Sequence, residues 1–234
     1  PLYSSAASDV YKRQVLGYSG YERGKGWLHK RISFNTLFTS LRYLGFALAG
    51  KPYMGLGRNL AYRKELFFKQ KGYSTHLNLQ RGEDDLFINQ IANTENTRVE
   101  TNARAIMRMQ PIERYKDWKE ERVSYMATAR YYKGAQRYLL GFETCSRLLF
   151  YMACIAGIVF GIIHSHWLVA GIAFFIWLLR YTVQAIVINK TATDQEENRH
   201  YYFSLLLFDL LQPLQTLQFK LYRLYRGKGD FMRR

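Results

Sequence analysis

Three consecutive acidic side chains, Glu83, Asp84 and Asp85, stand directly before an apolar segment that begins at Leu86. Carboxylates at a helix N-terminus lie where the helix dipole favours negative charge. Like charges packed together raise the proton affinity of at least one of them, which suits a general base. The alternative is a helix cap, in which a carboxylate accepts hydrogen bonds from backbone N–H groups. The triplet is therefore the first candidate site, in which a carboxylate is either a general base or a helix cap.

A glycine-rich loop, Gly55-Leu56-Gly57-Arg58-Asn59, lies upstream of the acid triplet. Glycine has no Cβ, so the backbone at such a position can approach a ligand closely. The amide of Asn59 can donate and accept hydrogen bonds, and it serves either a ligand or its own turn. The loop is therefore the second candidate part of a binding site.

The loop and the acid triplet, in this order and with an apolar hairpin downstream, resemble the C-terminal, acceptor half of a bacterial family 2 glycosyltransferase. In that family a G-x-G-x-N loop precedes a strand and a helix, and an E-D pair supplies the catalytic base. The resemblance implies that Asp84 is the base, with Asp85 and Glu83 as the next candidates. It also implies that Gly55, Gly57 and Asn59 contact the substrate, Asn59 through a sugar hydroxyl.

The same resemblance implies a fold and a reaction. The fold is α/β, a partial GT-A-type (Rossmann-like) nucleotide-sugar transferase domain without its N-terminal donor-binding half. The reaction is an inverting transfer from a nucleotide-diphosphate sugar donor to a lipid-linked or surface-glycan acceptor. A divalent cation, Mg²⁺ or Mn²⁺, is implied by the family, with its D-x-D ligands upstream and none in this chain. We therefore expect the fragment to be inactive alone.

A different class of function also fits the residues. In this second hypothesis the chain is a non-catalytic membrane-anchored adaptor. Its acid triplet only caps a helix, and its basic tail binds anionic lipid.

A long polar helix is predicted from Lys116 to Tyr132. Processive members of the family place a Q-x-x-R-W motif on a helix in this region. This chain has Trp118 and Arg122 in the reverse order and without the Gln, so the resemblance does not imply polymer synthesis. Both remain candidate substrate-binding residues. Trp118 is either a platform on which a sugar stacks or an anchor at the membrane interface.

The first residues of the chain have a different origin. Residues 4–14, SSAASDVYKRQ, match the translation of a common sequencing-library adapter. We therefore set residues 1–14 apart as an artefact of sequencing, as for any added segment. The natural sequence is then expected to begin near Val15, in the middle of a gene.

The chain is strongly basic, with 34 Lys and Arg against 18 Asp and Glu and a net charge of +16. Such an excess favours an anionic membrane surface or nucleic acid as a partner. The basic residues flank apolar segments, and we find no recognisable nucleic-acid-binding module. The composition therefore predicts membrane lipid as a partner and no nucleic acid.

Hydrophobic periodicity divides the chain upstream of the hairpin into short elements. Residues 15–30, rich in Gly and Tyr, are predicted to be a loop, and apolar spacing over 32–49 predicts an amphipathic helix. A short strand from Leu60 and a helix over 63–71 follow the glycine loop, with Gly72 as the C-cap. Alternation over 97–108 predicts one strand. Together, residues 15–135 form the predicted acceptor half.

Two apolar segments, 148–163 and 167–188, predict a transmembrane helical hairpin within residues 136–190. A span needs about 20 residues, so the first helix is expected to start before Arg147, whose side chain then snorkels. Arg180 in the second is expected to reach the cytoplasmic headgroups. Basic residues precede the hairpin and its turn has none, so we predict a multi-pass protein of the bacterial inner membrane with its catalytic domain in the cytoplasm.

Residues 191–234 form the last predicted unit. Polar residues and Pro213 interrupt the apolar stretch 201–219, which favours an interfacial amphipathic helix kinked at the proline. The strongly basic tail, 220–234, is expected to stay in the cytoplasm. A third span is the alternative that the length of the stretch leaves open.

Overall fold

The computed structural model describes residues 14–74, 79, 82–197 and 199–226, apart from the side chain of Arg137. Residues 1–13 of the adapter-like segment and 227–234 of the predicted basic tail lie outside the described residues. Short 3₁₀ turns occur at Gly57–Asn59, Ala103–Ala105 and Ala129–Tyr131. The strands and helices are β1 (Gln14–Gly17), β2 (Ser19–Tyr21), α1 (Trp27–Leu48), β3 (Leu60–Tyr62), α2 (Lys64–Lys69), α3 (Asp85–Ile91), β4 (Thr97–Glu100), β5 (Met107–Met109), α4 (Tyr115–Thr128), α5 (Gln136–Ile163), α6 (Trp167–Asp194) and α7 (Tyr202–Arg226).

The strands form two small sheets. In the first, β1 lies in the middle, antiparallel to β3 and parallel to β4, with Leu16 opposite both Leu60 and Val99. In the second, β2 runs parallel to β5. The part of the chain that the structure describes is therefore mostly helical with a small mixed sheet. The predicted partial GT-A-type (Rossmann-like) fold is not shown by it.

The prediction of a loop over residues 15–30 is wrong for the first half of this segment, which forms β1 and β2. Leu16 and Tyr18 are almost fully buried there. Gly17 and Gly20 leave room for neighbouring side chains, since a Cβ on Gly17 would lie 2.5 Å from Nδ2 of Asn59. The glycines therefore serve close packing between strands. β1 begins at Gln14, the last residue of the adapter-like segment.

The single strand predicted over residues 97–108 is also wrong. β4 and β5 belong to different sheets and are separated by a 3₁₀ turn. The side chain of Asn102 accepts a hydrogen bond of 2.9 Å from the backbone N–H of Arg104 and stabilises this turn. The alternation of apolar residues continues across the turn, which is why the sequence does not reveal the break.

The predicted helices upstream of the hairpin are confirmed, with shifted ends. α1 begins at Trp27, earlier than predicted, and buries Phe34 and Leu37 in the main core. α2 ends at Lys69, and Gly72 follows with φ +61° while its N–H donates to the carbonyl of Phe67. That bond closes the helix as the predicted C-terminal glycine should.

Two helices are long and apolar enough to cross a membrane. The candidate spans are Tyr138–Ile163 in α5 and Trp167–Asp194 in α6, with mean hydropathy of 2.0 and 1.8. Only 17% and 11% of these windows are buried within the protein, whereas a core helix of a soluble protein is mostly buried. The composition and exposure of the hairpin therefore suggest membrane association.

The last helix, α7, packs along the rest of the protein. It buries Leu205, Phe208 and Phe219, while Phe203 and Leu221 on other faces are exposed. Pro213 lies inside the helix. α7 is not among the candidate spans, and its apolar outer residues suit the predicted interfacial position.

Candidate functional site

The glycine loop and the acid triplet meet at Asp84. This residue is the N-cap of α3, and its Oδ1 accepts a hydrogen bond of 2.9 Å from the backbone N–H of Asp85. Its Oδ2 accepts a bond of 2.7 Å from the backbone N–H of Gly57. The half-buried carboxylate is thus held by one N–H group from each motif.

The two glycines of the loop have different roles. A Cβ on Gly57 would lie 3.2 Å from the Cβ of Asp84, so glycine lets the loop approach the carboxylate. A Cβ on Gly55 would lie 2.9 Å from a methyl carbon of Leu16 in the core. Gly57 therefore belongs to the candidate site, and Gly55 packs against the sheet that supports it.

Asp85 points the other way, into the core, with 1% of its surface exposed. Its Oδ2 accepts hydrogen bonds from the hydroxyls of Thr128 and Tyr132, and its Oδ1 accepts one from the N–H of Leu86. Burial raises the pKa of Asp85 to about 6, and the nearby charge of Asp84 adds to this, while the hydrogen bonds lower it. Asp85 is inaccessible to a substrate and instead supports α3.

The acid triplet therefore separates into three environments. Glu83 is exposed to solvent, Asp84 is half-buried against the glycine loop, and Asp85 is buried. A general base must reach the proton that it removes. Of the three carboxylates, Asp84 is the one that is both accessible and held in a defined orientation.

The side-chain amide of Asn59 bonds remote segments rather than its own turn, and its contact with a sugar hydroxyl stays a prediction for the amide oxygen alone. Its side-chain N–H₂ group donates hydrogen bonds of 2.6 Å to the carbonyl of Tyr18 and 2.7 Å to that of Ala105. Both amide protons are thereby used on segments remote in sequence. Asn59 ties the connection between β1 and β2 to the turn before β5, and its amide protons are not available to a sugar hydroxyl.

Trp118 likewise differs from both predictions. A sugar-stacking platform and an interfacial anchor each need an exposed ring, but Trp118 is only 2% exposed. Its ring packs edge-on against Phe219 at 6.0 Å between centroids, and the guanidinium of Arg31 lies over it. The residue joins α4 to α7 in a second core cluster.

A small cavity of about 120 Å³ adjoins the acid site. Leu56, between the two glycines, and Tyr132, which donates to Asp85, both line it. Arg122 lines the same cavity, so the structure places this predicted residue near the acid site although not in contact with Asp84. The ion pair between Arg58 and Glu121 forms another part of the wall.

Sequence reasoning missed Thr128 and Tyr132, the two hydroxyl donors to Asp85. They lie four residues apart at the end of the predicted helix, a spacing that places side chains on one face. That spacing is the signal by which they could have been found. Their partner lies more than 40 residues away, and nothing local indicates it.

The charged residues of the hairpin form a cluster with α7. Asp209 lies 3.1 Å from Arg147 of α5 and 2.9 Å from Arg180 of α6, and its side chain is 3% exposed. That Arg147 snorkels and that Arg180 reaches the headgroups remain predictions, and the structure shows that both side chains pair with a carboxylate of α7. Both guanidinium groups turn inward because a buried carboxylate between the three helices attracts them.

The described residues do not supply a site for a divalent cation. Among them, no group of three or more His, Cys, Asp or Glu side chains could hold a metal ion. The acid triplet does not fit either, because its carboxylates point in different directions and that of Asp85 is buried and already accepts three hydrogen bonds. A hard cation needs several converging oxygen ligands.

No protein family, curated protein or solved structure matches this chain. What the chain can do chemically therefore follows from its own residues. These are a half-buried carboxylate at a glycine turn, a buried neighbouring acid, and a cavity lined by Leu56 of the loop and by Tyr132, which donates to the buried acid.

Proposed function

We propose that this chain is the acceptor half of a membrane-associated inverting glycosyltransferase of family 2. The observation that carries the proposal is the contact between the two motifs, in which the N–H of Gly57 holds the accessible carboxylate of Asp84. The two exposed apolar helices, α5 and α6, support a place at a membrane. The finer location that we propose is the bacterial inner membrane, as a multi-pass protein whose catalytic domain is cytoplasmic.

In the proposed reaction, Asp84 acts as the general base. It removes the proton from an acceptor hydroxyl as that oxygen attacks the anomeric carbon of the donor sugar. The new C–O bond forms as the bond to the nucleotide diphosphate breaks, so the configuration inverts and the proton remains on Asp84. Each carboxylate oxygen accepts one backbone N–H and has a second lone pair available for the acceptor.

The partners of the proposed enzyme are a nucleotide-sugar donor, a lipid-linked or surface-glycan acceptor, and membrane lipid. The donor-binding residues and the D-x-D ligands of Mg²⁺ or Mn²⁺ are proposed to lie outside this chain. We assign no step to the cation, because the described residues do not fit it. For the same reason we expect the chain alone to be inactive.

The test is made on the gene extended upstream of Val15 and expressed in membranes. Hydrolysis or transfer of nucleotide sugars is compared for the parent and for Asp84→Asn. Loss of a general base lowers turnover by about 10²–10⁴-fold. Asp117→Asn is the matched control, because Asp117 is an exposed carboxylate that pairs with Arg114 on the surface of α4.

The adaptor hypothesis draws on one observation, that Asp84 caps α3 and both its oxygens accept backbone N–H groups. Asn caps a helix about as well as Asp, but its single amide oxygen can accept only one of the two backbone N–H groups. A loss of turnover in Asp84→Asn is therefore assigned to the base only if the variant unfolds at the same Tm as the parent. If the folded variant turns over donor as fast as the parent, Asp84 is not the base. If the parent turns over no donor while it still binds lipid, the adaptor hypothesis replaces the glycosyltransferase hypothesis.

A further inference from the structure

A second and larger cavity, of about 530 Å³, lies between α1, α4, α5 and α7. Its lining is strongly cationic, and its one carboxylate is that of Glu143. The cationic residues of the lining are Arg42, Arg122, Arg130, Arg147, Lys220 and Arg223. We call this space the basic cavity.

Two of these cations are neutralised within the protein. Glu143 forms ion pairs with Arg42 and with Arg147, and Arg147 also pairs with Asp209. The other four cations of the basic cavity form no ion pair with a carboxylate among the residues that the structure describes. The guanidinium of Arg223, for example, donates to the carbonyl of Met126. The cavity therefore carries several positive charges that form no ion pair with a described acidic side chain.

These cations are also close enough to disfavour one another. Burial lowers the pKa of Arg122 to about 10, and the positive charge of Arg42 adds to this. Burial likewise lowers the pKa of Arg223, and the charge of Arg130 contributes. Like charges gathered around a space are stabilised when an anion enters it.

The position of the basic cavity indicates where such an anion comes from. Tyr138, which lines the cavity, is the first residue of the candidate span in α5, and Gly141 and Thr144 line it from the next turns. The end of a transmembrane helix lies at the level of the lipid headgroups. α7, whose outer face is apolar, forms the opposite wall. With α5 spanning the membrane as proposed above, on which this inference rests, the cavity lies at the level of the lipid phosphates.

We propose that the basic cavity binds the phosphate group of a membrane lipid. Guanidinium groups match phosphate oxygens with paired hydrogen bonds, and a lysine adds a point charge. The acyl chains would then extend along the exposed apolar surface of α5. A soluble phosphate such as pyrophosphate shares the headgroup chemistry but has no acyl chains that could contact that surface. This binding does not depend on sugar transfer.

The test uses the whole chain purified in a neutral detergent. Native mass spectrometry and thermal unfolding measure the binding of phosphatidic acid, of phosphatidylcholine and of inorganic pyrophosphate. The variant is Arg130→Gln with Lys220→Gln, two exposed side chains whose loss leaves the packing of α4 and α7 in place. The matched control is Lys64→Gln with Lys116→Gln, which removes the same charge from exposed positions outside the cavity.

We expect one phosphatidic acid to bind the parent and the control with equal affinity. Each cation near a lipid phosphate raises the affinity roughly fivefold, so the double variant should bind phosphatidic acid roughly twentyfold more weakly than the parent. Equal weakening in the control would overturn the proposal, as would binding of phosphatidylcholine as tight as that of phosphatidic acid. Pyrophosphate that binds the parent as tightly as the lipid would overturn the assignment to a lipid and leave a site for soluble phosphate.

Discussion

Replacing Asp85 by Asn is expected to stabilise the protein near neutral pH and to change its stability little in acid. Asp85 is 1% exposed, and its carboxyl group contacts two hydroxyls and one backbone N–H. Burial disfavours the charged form of such a group. Asn has the same shape as the protonated acid and stays neutral at every pH, and the two hydroxyls can rotate to suit it.

The magnitude follows from the pKa of Asp85, which burial raises from 3.8 to about 6. Below 3.8 the carboxyl is protonated in both the folded and the unfolded chain. Between 3.8 and about 6 the folded chain binds more protons, so the free energy of unfolding falls as the pH rises. A pKa difference of this size corresponds to about 3 kcal/mol of unfolding free energy. The parent loses this stability as the pH rises across that window, whereas Asp85→Asn does not.

The assay is thermal unfolding of the whole chain in detergent, followed by tryptophan fluorescence, for the parent and the variant. The difference in Tm should grow by about 6–12 °C between about pH 4 and about pH 8 for a chain of this size. If the Asp85→Asn difference stays constant across this range, the carboxyl does not have a raised pKa and the reasoning fails.

Two further predictions concern single contacts. Asp209→Asn leaves the arginines of α5 and α6 without their shared carboxylate, so thermal unfolding should show a loss of about 3–5 kcal/mol, whereas Asp194→Asn at an exposed position should change little. Gly57→Ala places a Cβ 3.2 Å from the Cβ of Asp84 and displaces its carboxylate. Turnover by the extended protein should then fall at least tenfold while Tm changes little, and unchanged turnover would separate the glycine loop from catalysis.

Properties that depend on neighbours in sequence were predictable from the sequence. The hairpin of α5 and α6 follows from the length and hydropathy of two segments, and the structure forms both helices. The start of α3 follows from an acid before an apolar run, and Asp84 is its N-cap. In both cases the interactions that form the element lie within a few residues, so the pattern is sufficient.

Properties that depend on distant partners were not predictable from the sequence. β1 and β2 look like a loop because their glycines suggest flexibility, yet these glycines admit side chains from other segments. Asn59 and Trp118 have the chemistry of sugar-binding residues, but the amide protons of Asn59 bond two carbonyls and the ring of Trp118 packs against Phe219 of α7. Residue type alone does not show whether a polar or aromatic group has already found an internal partner.

The sequence by itself determined that the chain carries a hairpin of two apolar helices, a net positive charge, a glycine-rich loop and an acid triplet. Only the tertiary structure decided which acid is accessible, because Asp84 and Asp85 are neighbours in sequence and point to opposite environments. It also decided that Arg147 and Arg180 turn toward Asp209, and that four other cations line one cavity without an ion pair to any described carboxylate. The physical reason is the same in each case. Burial and charge pairing are set by groups that the fold brings from remote parts of the chain.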